Sequence, residues 1–305
     1  MTDIPPAASP APGSPSAPVI LEAGGALVAI SDAAHGRIVR LRLAGRDWLA
    51  GDGIAEWLAA GGADTGEAGG AATERLPGAA AARTRWTGSP QPFAFERTVT
   101  VAPDGAVRAE YVLTSHATEP TAFLWQARTA LGCPPNTRLD LPVAARVRVW
   151  DARGVQLGGR GARHRWPAVR VGGPDATRFG PREVDLTFPA LAARRMGEGA
   201  ASYAAALVLD LPQPAGGGVR LGVEQDGARL ELATDPAAVA HAALWLDVEP
   251  ARASLTLAPA IGAGLALPGA AAGDAGAGWE PATLAPGETR RWAVTWRGRA
   301  APVGV

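Results

Sequence analysis

The sequence predicts an almost entirely β protein made of antiparallel strands. From Val19 onward, short apolar runs alternate with Gly, Pro and Asp punctuation. Three turn-flanked strands or strand pairs can be read directly, and amphipathic helical stretches are scarce. A chain of 305 residues that is 47% hydrophobic can bury one large core, and all-β domains of this length commonly form a single unit. The expectation is one domain over residues 19–299, flanked by tails at 1–18 and 300–305.

In chain order, the Pro-, Ala- and Ser-rich opening up to Pro18 holds almost nothing a core could use, so it reads as a disordered tail. The stretch Gly51 to Gly88 is dominated by Ala and Gly and reads as a long loop with one short helix around Ile54 to Ala59. A functional loop and a plain insertion fit it equally well. Phe93, Phe95, Val99 and Val101 share one strand face, Pro103-Asp104-Gly105 turns the chain, and Val107, Ala109, Tyr111 and Leu113 face inward on the return. Val219, Leu221 and Val223 lead into Gln225-Asp226-Gly227, after which Leu230 and Leu232 alternate with Arg229 and Glu231. Pro286-Gly287-Glu288 opens a closing strand with Trp292, Val294 and Trp296 on one face. No repeat of fixed period points to a propeller or solenoid.

Composition excludes several kinds of chemistry. All 29 basic residues are Arg, so a P-loop lysine, Schiff-base chemistry and a lysine general base are absent. The 29 acidic residues cancel that charge, and no 18-residue apolar run occurs, so neither nucleic acid nor a membrane is an expected partner. Cys133 is the only cysteine, which rules out an intramolecular disulfide, and the opening segment lacks the basic and apolar regions of a secretory signal. A cytoplasmic location is the expectation.

Several segments, taken in order, resemble the galactose mutarotase (aldose 1-epimerase) superfamily. His35-Gly36-Arg37-Ile38 through Leu41, Gly45, Trp48 and Leu49 is similar to that family's opening hairpin. Tyr111 to Ser115 and Phe123-Leu124-Trp125 resemble its "Y-x-V-T-N … P-x-x-W" strand pair. Ala243 to Asp247, followed by Leu255 to Gly262, resembles "L-W-x-x … L-x-L-E-P-x-x-G". Leu284 to Glu288, running into Trp292, resembles "L-x-P-G-E … W". The resemblance implies an antiparallel β-supersandwich of the galactose mutarotase type and a sugar or sugar derivative as ligand. It also implies a glutamate that takes the anomeric proton and a histidine that protonates the ring oxygen. Those two positions fall on Ala258 and Arg128 here. Alanine cannot titrate, and arginine stays protonated at any working pH. A second family histidine would fall near Pro77.

The residues themselves add little catalytic chemistry. His35, His116, His164 and His241 are not at metal-ligand spacing and no cysteine pair assists them, so no metal and no cofactor is expected. Cys133 reads as a buried, inert thiol sooner than as a nucleophile. Arg160, Arg163, His164, Arg165 and Trp166 form the densest basic patch, which fits either an anionic or sugar ligand or a solvated loop. Of the 10 tryptophans, Trp48, Trp245, Trp292 and Trp296 lie in apparent strands and read mostly as core, whereas Trp86, Trp125, Trp150 and Trp166 are candidates for stacking on a ligand. The candidate binding set is therefore Trp86, Trp125, Arg128, Trp150, Arg163, His164 and Trp166. Three functions remain open: a sugar binder without the usual epimerase chemistry, an active epimerase with a relocated acid and base, and an interaction protein that keeps only the fold.

Overall fold

The computed structural model describes residues 17–60, 70–86, 92–143, 145–155, 157–172, 182–190, 192, 203–212, 218–249, 253–263 and 281–300. Most of the opening tail and residues 301–305 of the closing one lie outside the described residues. Among those described, the chain is nearly all strand, arranged as two antiparallel sheets.

The larger sheet has fourteen strands. From one edge it runs β1 (Val19–Ala23), β2 (Ala26–Ser31), β3 (Arg37–Leu43), β5 (Leu49–Ala60), β10 (Thr121–Gly132) and β20 (Ala253–Ile261). It continues through β19 (His241–Val248), β16 (Tyr203–Asp210), β12 (Arg146–Arg153), β13 (Arg163–Arg165), β14 (Ala168–Val171) and β15 (Arg182–Asp185). Two short strands, β4 (Arg46–Asp47) and β21 (Ala282–Leu284), join it at β3 and β10. The smaller sheet is ordered β11 (Arg138–Asp140), β17 (Val219–Gln225), β18 (Ala228–Thr234), β22 (Thr289–Ala300), β9 (Val107–Ser115), β8 (Phe93–Val101), β7 (Ala81–Trp86) and β6 (Ala71–Arg75).

The three turns read from sequence form as described. β8 and β9 pair from Phe93↔Ser115 to Val101↔Val107. The β17–β18 hairpin closes at Gln225↔Ala228, with Asp226 and Gly227 both at positive φ, as a tight two-residue hairpin turn requires. β22 inserts Trp292, Val294 and Trp296 between the sheets, where Trp292 joins Phe95, Tyr111, Trp125 and Trp86 in one contiguous set of stacked and edge-on rings.

The reading of Gly51 to Gly88 as a loop with a helix at Ile54 to Ala59 is wrong. That stretch supplies β5, β6 and β7, and β5 lies well inside the large sheet, pairing with β10 from Phe123↔Ala60 to Leu131↔Leu49. Ile54 and Leu58 face the inter-sheet core while Trp57 and Ala59 pack on the opposite face, so both faces are apolar and no polar alternation marks the strand.

The core also contains one ion pair. Arg97 shares parity with Phe95 and Val99, so it too points inward. There its Nη1 donates to Glu56 Oε1 at 3.0 Å, and neither side chain is more than 1% exposed. Tyr111 Oη donates to the same oxygen at 2.9 Å and Trp125 Nε1 to Oε2 at 3.2 Å. Arg97 Nη2 donates to Gly36 O at 2.5 Å and to Thr84 Oγ1 at 3.3 Å. Burial pushes the Glu56 carboxyl above its ordinary range, and Arg97, Tyr111 and Trp125 pull against that shift. This cluster ties β5 to the smaller sheet.

Candidate functional site

Side chains that point away from the core along β5, β10, β20, β19, β16 and β12 form the outer face of the large sheet. Strand register places them in rows. Gln126↔Ala260 and Thr129↔Leu257 put Arg128 level with Ala258, and the row continues through Ala243, Val208 and Arg148. The neighbouring row holds Trp57, Gln126, Ala260, His241, Asp210 and Arg146. Arg128 and Ala258, 130 residues apart in sequence, thus lie level on one face.

The Arg128 guanidinium lies over two indole rings, 4.7 Å from the Trp57 centroid and 4.8 Å from that of Trp245. Its Nε donates to Gln126 Oε1 at 3.0 Å, which orients the fork. Ala258 is fully buried among Trp150, Ala206, Val208 and Ala243, with Trp245 packed on them. Trp150 sits in the bulge where β12 meets β16, and Arg160 lies 4.7 Å from its ring while donating to its carbonyl. Of these rings Trp57 and Trp150 are buried and Trp245 is half-buried, so Trp245 is the ring that can meet the C–H face of a pyranose, with the half-buried Arg128 beside it for the hydroxyls.

The titratable groups on this face lie beside that row. His241 Nδ1 donates to Asp210 Oδ1 at 3.2 Å, and Arg148 donates to the same oxygen. Burial of Asp210 is outweighed by His241 and Arg148, which together hold its carboxyl below the usual range, so it stays ionised near neutrality. Among the described residues, His241 Nε2 has no hydrogen-bond partner. No group of three or more possible metal ligands occurs among the described residues.

The candidates read from sequence scatter over the molecule. Arg128 and Trp150 come together on the outer face. Trp86, Trp125 and Trp166 are core residues, with Trp86 Nε1 donating to His35 O. Arg163 is exposed on β13, opposite Arg148. His164 is held at both ring nitrogens, with Nε2 bonded to Leu157 O at 2.8 Å and Nδ1 accepting the Arg170 N–H at 3.1 Å, so it joins turn and strand and has no ring nitrogen left for a ligand. Trp245, expected in the core, lies half-buried on the outer face. Trp57, Gln126, Asp210 and His241 were not singled out as ligand groups. Parity was the available signal, since Gln126 lies two residues from Arg128, and Trp245 alternates with the buried Leu244 and Leu246.

A separate cleft of about 910 Å3 lies on the outer face of the smaller sheet, lined by Arg108, Glu110, Arg291 and Thr295. Its two aromatics, Tyr111 and Trp292, turn their rings into the core, so the cleft offers no stacking surface.

Two antiparallel sheets of this order define a β-supersandwich. Its likeness is to the galactose mutarotases. A galactose mutarotase related enzyme from Lactobacillus acidophilus matches over 94% of this chain and 99% of its own, at 12% identity and TM-score 0.58. A galactose 1-epimerase from Lactobacillus acidophilus NCFM matches over 93% and 95%, at 12% identity and TM-score 0.55. An aldose epimerase homologue from C. elegans matches over 94% and 100%, at 11% identity and TM-score 0.54. No protein-family model and no curated protein matches the sequence. At these identities the likeness is one of fold: the chain has the galactose mutarotase type of β-supersandwich.

Proposed function

We propose that this chain binds a carbohydrate on the outer face of its large sheet and lacks the acid–base pair by which mutarotases open the sugar ring. The observation that carries the reading is Arg128 held over Trp57 and Trp245, level with the buried Ala258. An arginine cannot cycle a proton near neutrality and an alanine has no group to take one, whereas a ring beside an oriented guanidinium binds without turnover. The fold likeness supports the choice of sugar over other ligands. Tryptophan fluorescence titrated with a panel of mono- and oligosaccharides tests it. At least one sugar should perturb the emission saturably, and Trp245→Ala should weaken that binding at least tenfold. Absence of saturable binding across the panel would discard the reading.

A second reading, turnover by a relocated group, is favoured by His241, whose Nδ1–H is held by Asp210 while Nε2 is left without a partner among the described residues. Mutarotation with a pH profile that His241→Gln abolishes would establish it.

A further inference from the structure

The outer face does not end at β12. Register carries its two rows onto β13, where Arg146 stands opposite Arg165 and Arg148 opposite Arg163. Two like-charged cross-strand pairs are unfavourable in an antiparallel ladder. Arg148 is engaged by Asp210, and Arg170 on β14 by Glu183 at 3.4 Å. Arg146, Arg163 and Arg165 are exposed and have no ion-pair partner among the described residues. Among the described residues, Asp151 on β12 pairs with Arg153 and Asp185 on β15 accepts a hydrogen bond from the backbone N–H of Thr187. A cleft of about 460 Å3 runs beside the patch, lined by Arg163, Arg165, Arg170, Trp166 and Pro167, with Glu183, the partner of Arg170, its one acidic side chain.

We propose that the outer face takes an anionic oligosaccharide whose carboxylate or sulfate groups are held by Arg146, Arg163 and Arg165. The proposal rests on the sugar-binding reading above and names its ligand class. Arginine forks match planar or tetrahedral oxyanions bidentately, and an anion between paired arginines turns the cross-strand repulsion into attraction. From Arg128 on β10 to Arg163 on β13 is five strand steps, about 24 Å at the usual interstrand spacing, a span for a short chain of sugars and not for one ring. A nucleic acid fits less well: the basic patch continues the Trp57 and Arg128 rows, and the whole chain carries no net charge.

The test uses the full chain and two probes with one backbone: hexagalacturonate, and the same oligosaccharide with its carboxyls reduced to alcohols. Calorimetry at low ionic strength should show the acidic probe binding about tenfold or more tightly than the neutral one, a preference that shrinks as added salt screens exposed charges. Arg163→Ala with Arg165→Ala should remove about tenfold from the affinity for the acidic probe. The same double variant should weaken the neutral probe far less than the acidic one, so that the preference between the two collapses, and its melting temperature should hold or rise because two repulsive pairs are gone. Equal binding of both probes, or an acidic preference that the double variant does not touch, overturns the proposal and leaves the sugar reading standing. If neither probe nor any sugar binds, the sugar reading falls first and takes the proposal with it. Duplex DNA of matched charge binding as tightly would also overturn it, since the patch would then be a general polyanion surface.

Discussion

Arg97→Met removes the cation from the buried pair and leaves Glu56 facing only Tyr111 and Trp125. Methionine fills most of the space along the arginine stem, so the change is chiefly electrostatic. Breaking one partner of a water-free pair costs about 3–5 kcal/mol. The pH dependence follows from the direction of the Glu56 shift. Burial already raises its carboxyl in the folded state, Arg97 opposes that rise, and losing Arg97 raises it further. A carboxyl raised on folding favours the fold below its unfolded pKa, and that contribution is lost as pH rises toward the folded value. The penalty of Arg97→Met should therefore be smallest near pH 4. What remains there comes from Gly36 O and Thr84 Oγ1 losing their donor, about 1–3 kcal/mol. It should grow toward pH 7. Adding Glu56→Met to Arg97→Met should recover most of the loss at neutral pH, because a well-packed apolar replacement of a buried pair is often neutral or stabilising. Urea denaturation of the four proteins of this cycle at several pH values measures each term. A penalty under about 1 kcal/mol at pH 7, or one that does not change with pH, would refute the picture of a desolvated pair.

Other outcomes follow from the same geometry. Gly36→Ala places a Cβ at φ +76°, 2.7 Å from Thr84 Cγ2 and 2.9 Å from Ala71 Cβ, beside the carbonyl that Arg97 uses, and should destabilise the chain by about 1–3 kcal/mol in the same denaturation assay. Polarimetry on freshly dissolved α-glucose or α-galactose should show no acceleration over the spontaneous rate, since loss of a general acid or base typically costs about 10²–10⁴-fold. Ala258→Glu with Arg128→His restores both groups at level positions on β20 and β10, and measurable mutarotation by that variant would show that the face still positions a sugar. Burial pushes the Cys133 thiol up, so it should resist alkylation in the folded protein and react once the chain is unfolded in urea, as mass spectrometry would read directly.

Much of the fold was legible because it is written locally. Period-two alternation and turn residues define β8–β9, β17–β18 and β22, and each side chain assigned inward there is buried. Composition alone removed lysine chemistry and disulfides from consideration. What sequence could not decide was partnership and side. β5 carries apolar residues on both faces, and a strand covered on both sides has no periodicity to separate it from a loop or helix. Trp125 and Trp245 both sit in strands, yet parity sends the first into the core and the second out beside Arg128, and which parity is inward depends on where the other sheet lies. Arg97 is the polar exception on an apolar face, and only the fold brings Glu56, 41 residues earlier, opposite it. The outer face itself exists only through register: β10, β20, β19, β16, β12 and β13 are drawn from distant parts of the chain, and their pairing sets Arg128 level with Ala258 and arginine against arginine at the β12–β13 edge. Local propensity determines that strands form and where they turn; which strands become neighbours is set by long-range burial, and that choice assembles the candidate site.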